Sequence, residues 1–166
     1  MLHLITGLPC AGKTTYSVKL KAETAGVHLS LDHWLITSFG RYSIDETGHD
    51  GHLSRVIACR KLIQDVASEL LQRNADVILD DGFFLRENRV QYSDFAAALG
   101  VKTKTHFLDT PQDIIRSRVA QRNATLPQFN FKISPAMLEW FFDVFEKPSA
   151  TEGPELVVVA EKLAAS

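Results

Sequence analysis

The sequence is poor in the features that mark secreted, membrane-bound and fibrous proteins. Its two cysteines, Cys10 and Cys59, lie far apart and lack metal-ligand spacing. No disulfide framework is therefore predicted, and we expect a reduced, cytoplasmic protein. The apolar run at the N-terminus is too short for a signal peptide, and no run reaches the roughly 20 residues that span a bilayer. We therefore expect no association with membranes.

A large excess of charge of one sign is also missing. Eighteen lysines and arginines face twenty aspartates and glutamates, which gives a formal charge of −2 without any run of like charges. This balance does not favour nucleic acid as a partner. What is present is an ordinary globular composition, because 45% of the residues are hydrophobic. A length of 166 residues predicts one domain, 1–166.

Short apolar runs alternate with segments of helical periodicity. The predicted strands cover residues 2–6, 27–31, 75–81, 101–109 and 155–160. The predicted helices cover residues 13–26, 52–73, 87–99 and 135–148, with one more that begins near Pro111. Two stretches lack a pattern: residues 39–51 are expected to form a mobile loop, and residues 123–135 a loop or lid. We place the lid at about residues 116–134. The alternation predicts a doubly wound parallel sheet with helices packed on it.

One motif carries specific chemistry. Residues 7–14, GLPCAGKT, match the pattern G-x-x-x-x-G-K-[ST] in full and lie between a predicted strand and a predicted helix. In such a loop, glycines let successive backbone N–H groups face a phosphate, while the helix N-terminus and Lys13 add positive charge. Thr14 is placed to hold the Mg²⁺ that accompanies ATP. We assign nine residues to the ATP site: Gly7, Leu8, Pro9, Cys10, Ala11, Gly12, Lys13, Thr14 and Thr15.

Kinases, GTP-dependent switches and larger motors share this loop, so other residues must separate them. The segment nearest to a guanine-reading N-K-x-D motif is 103–106, TKTH, which lacks the acid. A ring-forming motor needs an added helical domain that 166 residues cannot hold. GTPases and motors are thereby disfavoured.

Three aspartates follow predicted strands, and ligands bind at the carboxyl edge of a parallel sheet. Asp32 in LSLDHW is a candidate base that takes the proton from an attacking hydroxyl, and its alternative role is to cap a helix. Asp80 and Asp81 end a strand, and only one of them faces the site if both are extended. We favour Asp80 for Mg²⁺ and Asp81 for substrate, with capping of the next turn as the alternative for either.

Two groups of arginines are candidates for phosphate or substrate contacts. Arg118 and Arg122 are four residues apart on one helix face and suit a triphosphate, with Arg116 on the same helix. Arg86 and Arg89 lie beyond the third predicted strand and are candidate substrate contacts. For all five the alternative is a solvated basic helix face.

With these residues in place, the chain resembles a family of small P-loop kinases that are often described as AAA-type ATP-binding proteins. It is similar to polynucleotide 5′-hydroxyl kinases, zeta toxins and chloramphenicol phosphotransferases. The shared segments span nearly the whole chain: GLPCAGKTT, LSLDHW, VILDDGFFLRENR, IIRSRVAQR and the late FEKP.

The resemblance implies a three-layer α/β/α P-loop fold whose five parallel strands have the order 2-3-1-4-5. It also implies that Asp32 is the base and that Arg118 and Arg122 are lid arginines. The polynucleotide kinases have an arginine three positions beyond the base, where this sequence has Leu35. A contact to a nucleic-acid 3′-phosphate is therefore not expected unless Arg41 supplies it.

We therefore predict a kinase that uses ATP and Mg²⁺ and transfers the γ-phosphoryl group to a hydroxyl of a small-molecule or nucleotide-like acceptor. The alternatives are a polynucleotide 5′-hydroxyl kinase and a non-catalytic ATP-binding switch. The predicted catalytic residues are Lys13, Asp32, Arg118 and Arg122.

Overall fold

The computed structural model describes residues 1–160, except for the side chain of Asp45. The strands are β1 (Leu2–Thr6), β2 (Val27–Ser30), β3 (Val77–Gly82), β4 (Thr103–Asp109) and β5 (Glu155–Ala160). The helices are α1 (Lys13–Thr24), α2 (Leu31–Phe39), α3 (Ile44–Thr47), α4 (His49–Gln72), α5 (Arg86–Ala98), α6 (Gln112–Thr125) and α7 (Pro135–Val144), and a short 3₁₀ helix covers Ala150–Glu152. Within this part of the chain, every helix is too short or too polar to cross a membrane.

The strands form one parallel sheet in the order β2-β3-β1-β4-β5, so the expected order 2-3-1-4-5 is confirmed. Parallel neighbours need a crossover connection, which is why a helix follows each of the first four strands. All the strands end at the same edge of the sheet. The loop after β1, Asp32 after β2 and Asp80 near the end of β3 therefore gather at that edge.

Alternation of side chains along the strands distributes the core over both faces of the sheet. Leu4 of β1 belongs to a buried cluster with residues of α2, α4 and α5. The next residue, Ile5, belongs to a separate cluster with Leu20 of α1. A third cluster joins α6 to α7 through Ile115 and Leu138. The fold is therefore a three-layer α/β/α sandwich.

The prediction of one patternless loop over residues 39–51 is wrong. Helix α2 continues to Phe39, α3 forms a single turn, and α4 begins at His49. The Ser43 hydroxyl caps α3 by accepting a hydrogen bond from the Glu46 N–H. A helix of four residues is too short to show periodicity, so the sequence pattern does not reveal it.

The last predicted helix is shorter than residues 135–148. Helix α7 ends at Val144, and the ring of Phe145 stacks on Phe107 with 5.8 Å between centroids. The next N–H, that of Glu146, donates to the carbonyl oxygen of Phe84 at 2.9 Å. These contacts hold the chain after α7 against β4 and against the residues that follow β3. Tertiary packing therefore ends the helix several residues before Pro148.

Leu4 is fully buried in the middle of β1, so we expect Leu4→Ala to be strongly destabilising. The lost contacts and the remaining cavity should lower the free energy of unfolding by about 2–5 kcal/mol, measured by urea denaturation. The control is Val158→Ala on the edge strand β5, where the side chain is 56% exposed and the expected loss is small. Equal losses in the two variants would contradict a core centred on β1.

Candidate active site

The phosphate-binding loop, residues 7–14, joins β1 to α1 at the carboxyl edge of the sheet. Gly7 (φ +148°) and Gly12 (φ +95°) adopt conformations that favour glycine, and a Cβ on Gly7 would crowd a backbone carbonyl 3.0 Å away. The Lys13 ammonium donates to the carbonyl oxygens of Gly7 and Leu8, both at 2.9 Å. Burial lowers the pKa of Lys13. The loop thus has the curled backbone and the cation that a phosphate site requires.

Two oxygen groups that fit a Mg²⁺ site meet beside this loop. The Thr14 hydroxyl donates to Oδ2 of Asp80 at 2.8 Å, and Nε2 of His28 on β2 lies 3.4 Å from the same oxygen. Burial opposes ionisation of Asp80, but the adjacent His28 imidazole, the Lys13 charge and the Thr14 hydrogen bond outweigh it and lower the pKa of Asp80. An ionised carboxylate and a hydroxyl are the hard oxygen ligands that Mg²⁺ prefers. Sequence reasoning missed His28, because nothing marks it within the strand VHLSL.

Asp32 lies in the first turn of α2, directly after β2. Ser30 caps this helix by accepting an N–H of the first turn, so the alternative role of Asp32 as a cap does not hold. Asp32 is exposed to a cleft. The protein walls around it still desolvate the carboxylate enough to raise the pKa of Asp32 to about 6. The charges of Lys13 and Arg122 oppose this rise, and that of Asp80 reinforces it. Asp32 therefore interacts electrostatically with Lys13 of the phosphate loop and with Arg122 of α6.

Asp80 and Asp81 have different partners although they are adjacent. The register between β1 and β3 shifts after Asp80, which leaves Asp81 as a bulge. The Asp81 carboxylate accepts two hydrogen bonds from Arg60 of α4, at 2.7 and 2.8 Å. Burial raises the pKa of Asp81, and Arg60 opposes the rise. Asp81 is thus a member of an ion pair that lines the cleft, and its predicted contact with substrate stays a prediction.

Arg60 is a second site residue that sequence reasoning missed. It directly follows the buried Cys59 and lies one turn beyond the buried Val56, so it stands at the edge of the apolar face of α4. A basic residue at that place is a weak signal for a buried acidic partner. The partner itself lies 21 residues along the chain and was not visible from spacing.

The three arginines of α6 have different surroundings. Arg118 reaches the carbonyl oxygen of Cys10 in the phosphate loop at 3.5 Å, and Arg122 reaches that of Phe131 at 3.5 Å. Both side chains line the cleft. Arg116, by contrast, forms an exposed ion pair with a glutamate of α7. The structure thus brings Arg118 and Arg122 to the site and keeps Arg116 outside it.

The other predicted substrate arginines do not line the cleft. The substrate contact predicted for Arg89 is wrong, because its side chain is 1% exposed and all three of its guanidinium nitrogens bond to protein. Arg41 donates to two carbonyl oxygens of residues 127–128, both at 2.7 Å. Its guanidinium therefore binds this segment, and not a nucleic-acid phosphate. Arg86 is exposed and lies outside the residues that line the cleft.

A cleft of about 1820 Å³ joins the site residues. Its walls come from the phosphate loop, α2, α4, the turn after β3, α7 and residues 127–131, here called the lid segment. The lid segment packs across the cleft, since the ring of Phe129 lies 4.2 Å from that of His33 and the ring of Phe131 lies 5.0 Å from that of Tyr42. A typical small-ligand pocket has about 300–1,000 Å³. The cleft is therefore larger than a pocket for one small ligand.

Lys13→Ala should weaken ATP binding or turnover more than about tenfold, because it removes a charge-assisted contact to the phosphates. Isothermal titration with ATP and the rise in melting temperature on adding ATP measure the effect. The matched control is Lys21→Ala, at an exposed position of the same helix, which should bind ATP normally. Undiminished stabilisation by ATP together with normal turnover in Lys13→Ala would contradict the phosphate-loop assignment.

The fold is similar to those of several solved proteins. A candidate kinase from Chloroflexus aurantiacus shares 21% sequence identity at a TM-score of 0.75, over 96% of this chain and 84% of that one. Kti12 from Chaetomium thermophilum, solved with ADP-AlF3, shares 18% at a TM-score of 0.70, over 98% and 90% of the chains. A gluconokinase from Sinorhizobium meliloti shares 14% at a TM-score of 0.61, over 97% and 82%. At these identities the likeness shows the fold alone.

The sequence comparisons identify the family. Among curated proteins, none matches the chain. A family model described as an AAA domain matches residues 2–148, a range that includes the phosphate loop, Asp32, Asp80 and α6. The resemblance drawn from the motifs is thereby confirmed. The chain belongs to the AAA_33 family, a family of small P-loop kinases.

Proposed function

We propose that this protein is an ATP-dependent phosphotransferase that moves the γ-phosphoryl group of ATP to a hydroxyl group of a second substrate. One observation carries the proposal. Asp32, a carboxylate with a pKa raised to about 6, lies in the same cleft as the phosphate loop and interacts electrostatically with Lys13. A switch that only binds ATP has no need of a base whose pKa lies near neutral pH.

The phosphate loop supports ATP as the phosphoryl donor. Its N–H groups and the N-terminus of α1 stabilise negative charge, and Lys13 adds a full positive charge. Thr14 and Asp80 would hold Mg²⁺, which when bound neutralises charge on the β- and γ-phosphates. The lowered pKa of Asp80 keeps this carboxylate ionised for that role.

Asp32 supports transfer to a hydroxyl group. In the proposed step, the carboxylate accepts the hydroxyl proton of the acceptor while the acceptor oxygen bonds to the γ-phosphorus. The bond from that phosphorus to the bridging oxygen breaks, and ADP leaves with the electron pair. Because its pKa is about 6, Asp32 is mostly ionised at neutral pH and is still basic enough to take the proton.

Arg118 and Arg122 support stabilisation of the transferred group. Planar guanidinium groups bind phosphate oxygens through paired hydrogen bonds, and both side chains line the cleft. Among the described residues, Nε of Arg122 is buried and lacks a hydrogen-bond partner, which favours a role with a ligand. Arg122 also contacts the carbonyl oxygen of Phe131, so its position depends on the lid segment.

The walls of the cleft favour a small or nucleotide-like acceptor over the end of a polynucleotide. Leu35 occupies the place where the resembling polynucleotide kinases carry an arginine, and it is 1% exposed in the core. Arg41 is engaged with the lid segment. The cleft is instead lined by rings and a few polar groups, among them His33, Trp34, His52, Arg60, Asn88 and Phe129.

Transfer from γ-labelled ATP to a panel of hydroxyl compounds tests the proposal. We expect wild-type protein, but not Lys13→Ala, to label at least one alcohol, sugar or nucleoside. Oligonucleotides with a 5′-hydroxyl form a separate arm of the panel, and labelling confined to them would favour the polynucleotide kinase alternative. Tight binding of ATP without transfer to any compound would overturn the proposal and favour the non-catalytic switch.

Asp32→Asn should lower transfer to the acceptor by roughly 10²-fold or more while ATP binds almost normally, because only the basic oxygen is lost. In wild-type protein, transfer should fall as the pH falls below about 6, since the protonated carboxyl cannot accept a proton. The residual activity of Asp32→Asn should lack this pH dependence. The control is Asp50→Asn, at an exposed position in the first turn of α4. A wild-type transfer rate in Asp32→Asn would rule out its role as the base.

Arg122→Ala should lower turnover far more than it weakens ATP binding, because the proposed contact forms mainly in the transition state. Arg122→Lys should restore activity only in part, since an ammonium cannot reproduce the planar guanidinium. ATP titration and turnover are compared at fixed ionic strength. Arg116→Ala, on the same helix but outside the cleft, is the control. Small and equal effects of Arg122→Ala on binding and turnover would contradict the role.

A further inference from the structure

The turn at the end of β3, Gly82–Phe84, has an unusual backbone next to the site. Gly82 (φ +87°) is followed by Phe83 (φ +43°), a bulky residue in a left-handed conformation that side chains rarely adopt. The Phe83 side chain is fully buried and packs edge-on against Tyr92, with 5.2 Å between ring centroids. A strained backbone persists only where the surroundings hold it in place.

Hydrogen bonds from two directions hold this turn. The carbonyl oxygen of Phe83 accepts a bond from Arg89 Nη1 at 2.9 Å and another from the Thr6 hydroxyl at 3.1 Å. The carbonyl oxygen of Gly82 accepts the N–H of Gly7 at 3.3 Å. The turn is therefore bonded directly to the last residue of β1 and to the first glycine of the phosphate loop.

Glu152 orients Arg89 by binding the two guanidinium nitrogens that do not contact Phe83. Nε and Nη2 of Arg89 donate to the two carboxylate oxygens of Glu152, both at 2.7 Å, and the two side chains are 1% and 5% exposed. The Glu152 carboxylate also accepts the N–H of Ser149 and so closes the capping box of the 3₁₀ helix. Neither Arg89 nor Glu152 lines the cleft.

The turn carries the Phe84 ring into the cleft. This ring lies 5.9 Å from Lys13 Nζ and 4.9 Å from the ring of Phe141 on α7. The carbonyl oxygen of Phe84 accepts the N–H of Glu146, just beyond α7. A displacement of the turn would therefore move the aromatic surface beside Lys13 and loosen the end of the strand that carries Asp80.

We propose that Arg89 and Glu152 are positioning residues for phosphoryl transfer. Their buried ion pair keeps the Gly82–Phe84 turn in its strained conformation. This turn binds the phosphate loop at Gly7 and keeps the Phe84 ring beside Lys13. The proposal rests on the proposed function, because the positioned groups are those assigned to ATP and Mg²⁺.

Glu152→Gln is the central test, since it keeps the shape of the side chain and removes the charge that orients Arg89. We expect turnover of labelled ATP with the acceptor found in the panel to fall at least tenfold, while the Kd for ATP changes less than threefold. The matched control is Glu139→Gln, which breaks the exposed Arg116–Glu139 pair between α6 and α7. This control should leave both quantities unchanged. All variants are assayed well below their melting temperatures.

A loss of stability in Glu152→Gln with unchanged turnover would overturn the proposal, because it would show that the pair is only structural. If Glu152→Gln does not fold, Thr6→Val replaces it. That variant keeps the volume of a buried side chain but removes the second donor to the Phe83 carbonyl. It should lower turnover at least threefold with an unchanged Kd for ATP, and a wild-type turnover would overturn the proposal.

Hydrogen exchange separates this inference from the proposed function. In Glu152→Gln or Thr6→Val, we expect the Gly7 amide to exchange at least tenfold faster than in wild-type protein, because its acceptor lies on the released turn. This measurement needs no acceptor, so it decides the positioning role even if no hydroxyl compound is phosphorylated. Unchanged exchange at Gly7 in a folded variant would overturn the positioning role while leaving the proposed function intact.

Discussion

Parallel pairing of β1 with β3 is the constraint on which the site depends. It brings the phosphate loop at the end of one strand beside Asp80 at the end of the other, with Ile5 opposite Asp80 in the register. The Thr14–Asp80 hydrogen bond joins residues 66 positions apart and exists only because these two strands are neighbours. The bulge that follows directs the next carboxylate to Arg60. One register shift thus separates two adjacent acids into two chemical environments.

The carboxylates of the cleft differ in protonation because their partners differ. The pKa of Asp80 is lowered by the Thr14 hydrogen bond, the adjacent His28 imidazole and the charge of Lys13, which together outweigh its burial. The pKa of Asp32 is raised to about 6, because limited hydration outweighs the charges of Lys13 and Arg122. A permanently ionised carboxylate suits a metal, whereas one that titrates near neutral pH suits proton transfer. The same edge of the sheet therefore presents a carboxylate suited to each of the two proposed roles.

The motifs predicted most of the fold because the signals are local. The phosphate loop is specified by residues within one turn of chain, and the strand order followed from the family that the motifs indicate. The helices in residues 39–51 and the early end of α7 were not predicted, since a four-residue helix shows no period and Phe145 is held by Phe107. Arg89 was misassigned because its position beyond an acidic strand end resembles a substrate contact. Its partner Glu152 lies 63 residues away.

The sequence by itself determined the phosphate loop, the alternation of strands and helices, and the aspartates at the ends of β2 and β3. These features depend on residue type and short spacing, and a single chain segment contains all the information for each. The tertiary structure alone decided which side chains face the cleft, which acid pairs with Arg60, and that Arg89 is buried. Those outcomes depend on partners brought together by strand pairing and helix packing, and no spacing along the chain encodes the direction of a side chain across such distances.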